Sequence, residues 1–300
     1  MGASPLDVAW IHGSRRPGER TDPPIQVHAV DPHTFILRQS KSVHYEAPFL
    51  YLFCGRERAL LLDTGATADP SAFPLRATVD ALLAERLRRN PCEHYELVVA
   101  HTHGHGDHIA ADVQFADRAD TTVVPPGPAS VQAFFGFTSW PEQVVTLDLG
   151  GRVLEVTGCP GHHPTSIAVL DPWSGFLVAG DTVYPGRLYV DDMPSYVASL
   201  DRLVDLARSR GVTSVVGCHI EMRRTPGRDY PIGSTWQPDE AALPMSVAQL
   251  AAVRDAARAM AHRPGAHAFD DVIIFNGPCR GARLRHRLRR WWSTLRRRLP

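Results

Sequence analysis

Short apolar runs alternate with turn residues along the chain, a pattern typical of a protein with many β-strands and a few amphipathic helices. In the first third, the turn residues Asp31-Pro32 and Gly55 separate β-type runs. We predict strands over four of these runs: Ile25–Val30, Thr34–Leu37, Phe49–Phe53 and Ala59–Leu62. A helix is predicted from Pro74 to about Arg88, because apolar residues recur there on one helical face.

The rest of the chain repeats this β-rich pattern. Helices are predicted over Ser199–Arg210 and from Ser246, a residue type favoured at helix N-termini, to about His262. Strands are predicted over Tyr95–Ala100, Gln143–Leu149, Arg152–Thr157, Ser166–Leu170, Gly175–Ala179, Val212–Gly217 and Asp271–Phe275. Polar motifs follow directly after several of these strands, where an α/β fold presents reactive groups on loops held by a rigid sheet.

Composition places the chain among ordinary globular proteins. Its 300 residues are 44% hydrophobic and 21% charged, enough for one large domain or two small ones. Because no apolar stretch reaches the length of a membrane span and the N-terminus has no apolar signal region, we expect a cytoplasmic protein. The odd number of scattered cysteines argues against a disulfide framework and fits a reducing compartment.

Charge is distributed unevenly although the net charge is zero. Residues 280–300 contain nine arginines and no acid, interspersed with leucines and tryptophan at near-helical spacing. A basic amphipathic segment can contact nucleic acid or an anionic membrane, and it can equally be an ordinary terminus. We therefore divide the chain into an irregular segment 1–24, a main domain 25–279 and an arginine-rich tail 280–300, with the oligomeric state left open.

One segment concentrates candidate metal ligands. His103, His105, Asp107 and His108 lie within six residues, directly after the apolar strand that ends at Ala100. In an extended loop, residues two apart point the same way, so His103 and His105 can reach one ion while the other two face a second. The glycines between these ligands are expected to adopt the φ values of a tight loop. A chance cluster is improbable with four ligand types at this spacing, and metal binding is predicted.

The sequence around these residues resembles the signatures of the metallo-β-lactamase superfamily. Thr102-His103-Gly104-His105-Gly106-Asp107-His108 is similar to its T-H-x-H-x-D-H motif. The family's other segments follow in order: Asp63-Thr64-Gly65 upstream, then Pro160-Gly161-His162, Gly180-Asp181 and Cys218-His219. In the second segment, His163 and Thr165 stand where the family has a small hydroxyl residue and glycine.

The resemblance implies a fold and a ligand set. The fold is a four-layer αβ/βα sandwich, an α/β class in which two mixed sheets face each other and helices cover them. The first metal would be held by His103, His105 and His162, the second by Asp107, His108 and His219. Asp181 would bridge the two ions, and Asp63 would support the ligands. Nitrogen and oxygen ligands suit two Zn²⁺ best and leave iron or manganese open.

This metal centre implies a hydrolase that acts on a small-molecule substrate. Two close cations can share a water and lower its pKa, so that a metal-bridging hydroxide attacks an ester, thioester or lactone. Asp107 is a candidate for orienting the nucleophile or relaying its proton. The bridging Asp181 makes the chain resemble the glyoxalase II and lactonase-like branch rather than true β-lactamases. Tyr184 resembles a lactonase tyrosine that donates to the substrate carbonyl, and a packed aromatic with a satisfied hydroxyl is the equal alternative.

Two other functions remain open from sequence. Phosphodiesterases or nucleases share the fold, and the arginine-rich tail would suit nucleic acid. Persulfide dioxygenases use the same fold with one iron, although a complete second ligand set argues against them.

Several residues near the motifs are expected to be structural. His101 and His163 flank ligands, with substrate contact by His163 as the alternative. An aromatic cluster is expected to pack rather than to line an apolar cleft, and it comprises Phe134, Phe135, Phe137 and Trp140. Cys159 and Cys218 are expected to be small buried residues.

Overall fold

Strands that follow one another along the chain pair into two mixed sheets in the computed structural model, which describes residues 6–16, 19 and 21–277. The first sheet has the order β1-β2-β3-β4-β5-β6. Its first four strands pair antiparallel, and β5 and β6 continue the sheet in parallel to β4. The strands are β1 (Ile25–Asp31), β2 (Thr34–Gln39), β3 (Phe49–Cys54), β4 (Arg58–Leu62), β5 (Glu96–Ala100) and β6 (Thr121–Val123).

The second sheet has the order β12-β10-β9-β8-β7, in which only β12 and β10 are parallel. Its strands are β7 (Val144–Asp148), β8 (Val153–Gly158), β9 (Ile167–Asp171), β10 (Phe176–Gly180) and β12 (Ser214–Gly217). A third, small sheet has the order β11-β14-β13 and was not predicted. It consists of β11 (Arg187–Val190), β13 (Gly265–Ala268) and β14 (Ile273–Asn276).

Three long helices lie on the outer faces of the two large sheets, whereas a shorter one packs against the central layer. The α-helices are α1 (Leu75–Arg89), α2 (Gly106–Ile109), α3 (Pro128–Phe135), α4 (Met193–Ser209) and α5 (Val247–Met260), and a 3₁₀ turn covers Ala110–Gln114. Helix α5 begins with a capping box between Ser246 and Gln249, as the sequence predicts for its start. Among the described residues, no helix combines the length and the apolar character needed to cross a bilayer.

Three apolar layers hold the sheets and helices together. Alternate side chains of both large sheets meet in the central layer, which contains Tyr51 and Leu62 from one sheet and Val156 and Val178 from the other. The opposite face of the first sheet packs against α1, and that of the second sheet packs against α4 and α5. The predicted four-layer αβ/βα sandwich is therefore confirmed, and the three-stranded sheet is an addition to it.

Helix α4 departs from its prediction because it begins at Met193, six residues before the predicted Ser199. Pro194 occupies the first turn, where proline costs no hydrogen bond. The Asp192 side chain caps the helix by accepting a hydrogen bond from the backbone N–H of Ser195. The tail 280–300 lies outside the described residues, so its role stays a prediction.

Candidate metal centre

The predicted ligands lie on the segments that follow four strands of the two large sheets, with Asp107 and His108 in the short helix α2. His103, His105, Asp107 and His108 follow β5 of the first sheet. The other three follow strands of the second sheet: His162 comes after β8, Asp181 directly after β10 and His219 after β12. The face-to-face packing of the sheets brings these loops together, so residues up to 116 positions apart in the chain meet.

The first ligand group consists of three histidines whose ring nitrogens converge. His103 Nε2 lies 2.9 Å from His105 Nδ1, and His162 Nε2 lies 3.1 Å from the same atom and 3.3 Å from His103 Nε2. Three ring nitrogens cannot all satisfy one another by hydrogen bonds, because each neutral imidazole carries a single proton. The convergence of three lone pairs fits one metal ion.

The orientation of His162 supports this interpretation. Its Nδ1 lies 2.7 Å from the carbonyl oxygen of Tyr189, which can only accept. His162 therefore carries its proton on Nδ1, and the lone pair of Nε2 faces the two other histidines. A backbone acceptor of this kind is the usual means of holding a metal-binding imidazole in place.

The second group contains Asp107, His108 and His219, whose ligand atoms also lie within 4.8 Å of one another. Asp107 Oδ2 lies 3.6 Å from His108 Nε2 and 3.4 Å from His219 Nε2. His219 Nδ1 lies 3.2 Å from the carbonyl oxygen of Glu46, so its Nε2 is free to face the group. The set would supply one carboxylate and two imidazoles to a second ion.

Asp181 lies between the two groups and faces each with a different oxygen. Its Oδ2 is 4.0 Å from His103 Nε2 and 3.8 Å from His162 Nε2. Its Oδ1 is 3.6 Å from His108 Nε2 and 3.4 Å from His219 Nε2. This division is the arrangement that a carboxylate bridging two ions requires.

Two buried atoms of this cluster have no hydrogen-bond partner among the described residues: His108 Nε2 and Asp181 Oδ1. An unpaired polar atom away from water costs about 1–3 kcal/mol. Both atoms face the space between the ligands, where a cation would pair with each of them. The ligand set therefore fits bound metal.

The charges of the centre lead to the same conclusion. Burial opposes protonation of His108, yet the carboxylates of Asp63, Asp181 and Asp107 outweigh it and raise the pKa well above its ordinary value. Burial opposes protonation of His219 as well, and Asp181 and Asp107 raise its pKa to about 9. These carboxylates thus favour a positive charge between the ligands, which a metal ion would supply while leaving the imidazoles neutral.

Asp63 supports the second group through hydrogen bonds. Its Oδ2 lies 2.9 Å from His108 Nδ1 and accepts from the Thr102 hydroxyl at 2.8 Å and from the Cys218 thiol at 3.2 Å. Its Oδ1 accepts from the Thr102 backbone N–H at 2.7 Å. Because this fully buried carboxylate is saturated by donors, it orients His108 and is not itself a metal ligand.

The glycines of the first motif do not have the backbone conformation expected of them. Neither Gly104 nor Gly106 has a positive φ. Gly106 starts helix α2, and a side chain there would meet open space. At Gly104 the constraint is close approach, since an added Cβ would lie 3.2 Å from His163 Cε1 and 3.3 Å from the carbonyl oxygen of Pro126.

Tyr184 is buried beside the second group, with its ring centroid 5.4 Å from that of His219. Its hydroxyl donates to the carbonyl oxygen of Arg187 at 2.5 Å. Glu221 Oε2 is a second acceptor at 3.3 Å, so the single phenolic proton is satisfied within the protein, as expected for a packed aromatic. A catalytic role for Tyr184 stays a prediction, and it requires this hydrogen bond to be exchanged for one to the substrate.

The other residues singled out in the sequence also have definite positions. His101 Nε2 lies 2.8 Å from Asp112 Oδ1, apart from the ligand groups, which agrees with a structural role. In the aromatic cluster, Phe135 is buried and the others pack partly buried against the central core, so the packing prediction is confirmed. Cys159 and Cys218 are buried free thiols, as expected.

Sequence reasoning missed the groups that orient the ligands. The carbonyl oxygens of Tyr189 and Glu46 hold His162 and His219, and every residue type has such an oxygen. The thiol of Cys218 could have been suspected, because it adjoins His219 in the sequence.

Comparison with known proteins agrees with this geometry. The model of the metallo-β-lactamase superfamily matches residues 47–219. Hydroxyacylglutathione hydrolase of Synechococcus sp. (strain JA-3-3Ab) is 31% identical over 168 residues, which are 55% of this chain and 61% of the relative. Acyl-coenzyme A thioesterase MBLAC2 of Bos taurus is 28% identical over 201 residues, 56% of this chain and 70% of the relative. The matches thus span about three fifths of the hydroxyacylglutathione hydrolase length.

Solved structures are similar at the level of the fold. The structure of TMB-1 has a TM-score of 0.53 at 16% identity and covers 80% of this chain and 100% of its own. The DIM-1 metallo-β-lactamase has a TM-score of 0.52 at 16% identity, with 79% and 98% covered. Because the family model matches more than half of the chain and the ligand motifs occur in the family's order, the chain belongs to the metallo-β-lactamase superfamily.

Proposed function

We propose that the protein is a dinuclear zinc hydrolase that cleaves an acyl bond, with thioesters favoured over esters and lactones. The observation that carries this proposal is the position of Asp181, whose two oxygens face two separate histidine groups. A site for one ion would need only one of these groups. Ligands made of imidazole and carboxylate suit zinc, and metal analysis would distinguish it from iron or manganese.

Bound metal ions would supply Lewis-acid chemistry, lowering the pKa of a water molecule and polarising the substrate carbonyl. The chain's own residues would hold these ions and orient the reacting groups around them. Asp107 is the most exposed carboxylate of the cluster, with 24% of its side chain accessible against 9% for Asp181. Despite burial, His108 and His219 hold the pKa of Asp107 well below its usual range. Asp107 therefore remains a deprotonated acceptor at the open side of the centre, where it can orient the attacking water through a hydrogen bond.

The preference for thioesters rests on the relatives. Those matched in sequence are named hydroxyacylglutathione hydrolase and acyl-coenzyme A thioesterase, and both names describe cleavage of an acyl group from a carrier. The β-lactamases resemble this chain in fold at 16% identity, which carries no argument about substrate. The completeness of the second ligand group speaks against the alternative of a mononuclear iron dioxygenase.

A panel of five substrate classes tests the proposal. Zinc-loaded protein should hydrolyse an acyl thioester, an ester or a lactone faster than a phosphodiester or a β-lactam. His105→Ala and Asp181→Ala should reduce turnover to background with the fold intact by circular dichroism, while His94→Ala, at an exposed histidine outside the centre, should match the wild type. Full turnover in either ligand variant, or activity on the phosphodiester alone, would contradict the proposal.

A further inference from the structure

His163 is a histidine beside the first ligand group that the proposed chemistry does not use. It stands directly after His162, where the family motif has a small hydroxyl residue. Its ring centroid lies 4.8 Å from that of His105, at an interplanar angle of 71°, and 5.6 Å from that of His103. The side chain is half-buried. It is therefore close to the ligands without being part of the converging set.

The hydrogen bonds of His163 determine which of its nitrogens carries the proton. The backbone N–H of Thr165 donates to His163 Nδ1 at 3.2 Å, and the Thr165 hydroxyl lies 2.8 Å from the same atom. A backbone N–H can only donate, so Nδ1 is an unprotonated acceptor. The Thr165 hydroxyl accepts from the backbone N–H of Gly104 at 3.2 Å, which leaves its own proton for Nδ1.

The neutral ring must then carry its proton on Nε2. Among the described residues, no hydrogen-bond partner is found for this atom. It is not one of the buried polar atoms that lack a partner. The ring also lies close to Gly104, since a Cβ added there would come within 3.2 Å of its Cε1. The result is an oriented N–H donor next to the first ligand group, with no acceptor in the part of the chain that the structure describes.

We propose that His163 is a substrate-binding residue whose Nε2–H donates a hydrogen bond to an oxygen of the acyl group bound at the metal centre. This oxygen is the carbonyl oxygen of the substrate and, after hydrolysis, a carboxylate oxygen of the product. The inference rests on the proposed function, because the centre must first bind the acyl compound. A preorganised donor of this kind strengthens most where negative charge develops on oxygen.

Three substitutions separate this role from packing. His163→Phe keeps a ring against Gly104 and removes both nitrogens. His163→Gln places an amide N–H near the position of Nε2, whereas His163→Asn places its polar atoms near Nδ1 and serves as the matched control. With an acyl thioester as substrate, we expect kcat/KM to fall about 10-fold to 100-fold in the Phe and Asn variants, with substantial recovery in the Gln variant. Metal content per chain should stay at the wild-type value in all three.

A second measurement does not depend on turnover. Acetate, a simple carboxylate, is titrated into the cobalt-loaded protein and followed by the visible spectrum. The Phe variant should bind acetate at least about fivefold more weakly than the wild type, and the Gln variant should recover. Unchanged kcat/KM and acetate affinity in the Phe variant would overturn the inference, as would equal behaviour of Gln and Asn or loss of metal. Absence of thioester cleavage by the wild type, with acetate binding still dependent on His163, would instead count against the proposed function alone.

Discussion

Four hydrogen bonds converge on the carboxylate of Asp63, and through them this residue orients the second ligand group. Two come from Thr102, one from His108 and one from the thiol of Cys218. Because His108 Nδ1 is tied to Asp63, its Nε2 is aimed at the metal position. Burial raises the pKa of the Cys218 thiol well above its ordinary value, which keeps the thiol protonated as a donor.

Replacing Asp63 should therefore weaken metal binding without removing any ligand. We expect Asp63→Asn to lower the affinity for the second metal by about 10-fold to 100-fold, because an amide can no longer accept every bond. Calorimetric titration of zinc into the metal-free protein measures the two binding steps. Asp112→Asn is the matched control, since the Asp112 carboxylate pairs with His101 and Thr64 and with no side chain of the predicted ligands. Equal zinc affinities in both variants would contradict this role of Asp63.

Lys41 supplies a prediction of pH dependence outside the ligand set. Burial lowers its pKa from 10.5 to about 8, against the opposing attraction of Glu240. Because the folded-state pKa lies below the unfolded value, the unfolded chain binds more protons between these two pH values, and this residue's contribution to stability rises with pH there. Below about pH 8 the charged side chain destabilises the fold.

Lys41→Met should accordingly raise the free energy of unfolding at pH 7, by at most about 3 kcal/mol. The gain should shrink as the pH approaches 10.5, where the wild-type lysine is neutral in both states. Urea denaturation at pH 7 and pH 10 measures the difference. A gain of the same size at both pH values would be inconsistent with this explanation, and Lys41→Arg, which keeps the charge, should show none.

At the scale of elements, the loop between β8 and β9 is held against the start of helix α4. Gly161 precedes the ligand His162 and has a φ of 137°, and its carbonyl oxygen accepts from the backbone N–H groups of Asp191 and Asp192. A Cβ at Gly161 would lie 2.4 Å from the Tyr196 Cα, closer than real atoms approach. The helix and the ligand loop are therefore positioned together.

Gly161→Ala should displace His162 and destabilise the protein by about 1–3 kcal/mol, because both the backbone conformation and the contact are unfavourable. We expect a lower melting temperature and a loss of metal from the first group. Gly106→Ala is the matched control, since that glycine lies in a ligand motif with open space around it and no positive φ. If the two variants kept the same metal content and melting temperature, the coupling of loop and helix would be wrong.

The same elements show what could be predicted from the sequence. The long apolar strands and the capped helix α5 were predictable, because periodicity and capping are local signals. The early start of α4 was not predicted, although Pro194 lies in its first turn, where proline is tolerated. The short strands β11 and β13 have weak local patterns and depend on pairing with β14.

What could be predicted of the site also depends on whether the signal is local in the sequence or arises from the tertiary fold. The seven predicted ligands were recognisable because compact motifs carry them, and the structure brings all seven side chains together. The carbonyl acceptors of His162 and His219 and the backbone partner of Tyr184 depend on tertiary folding, so residue identities did not indicate them.

At the scale of the whole molecule, the metal centre joins the two halves of the sandwich. The ligands after β5 belong to the first sheet, whereas His162, Asp181 and His219 belong to the second. Bound metal would thus link both sheets, and a ligand that binds only the folded state stabilises it by mass action. Without metal, the charges of the buried carboxylates are balanced only by protonation of the neighbouring imidazoles.

Removal of metal should therefore lower global stability as well as activity. At a free zinc concentration of about 1,000 times Kd, stabilisation amounts to about 4 kcal/mol. We expect chelation to lower the melting temperature in scanning calorimetry and added zinc to restore it. Asp181→Ala should respond much less to zinc, and a wild-type melting temperature that is indifferent to chelation would speak against metal linking the sheets.

Anomalous X-ray diffraction from crystals of the zinc-loaded protein, recorded on both sides of the zinc absorption edge, tests the metal centre most directly. We expect two zinc peaks, one among His103, His105 and His162 and one among Asp107, His108 and His219, with Asp181 contacting both. A single peak, or zinc bound only elsewhere on the protein, would rule out this dinuclear centre.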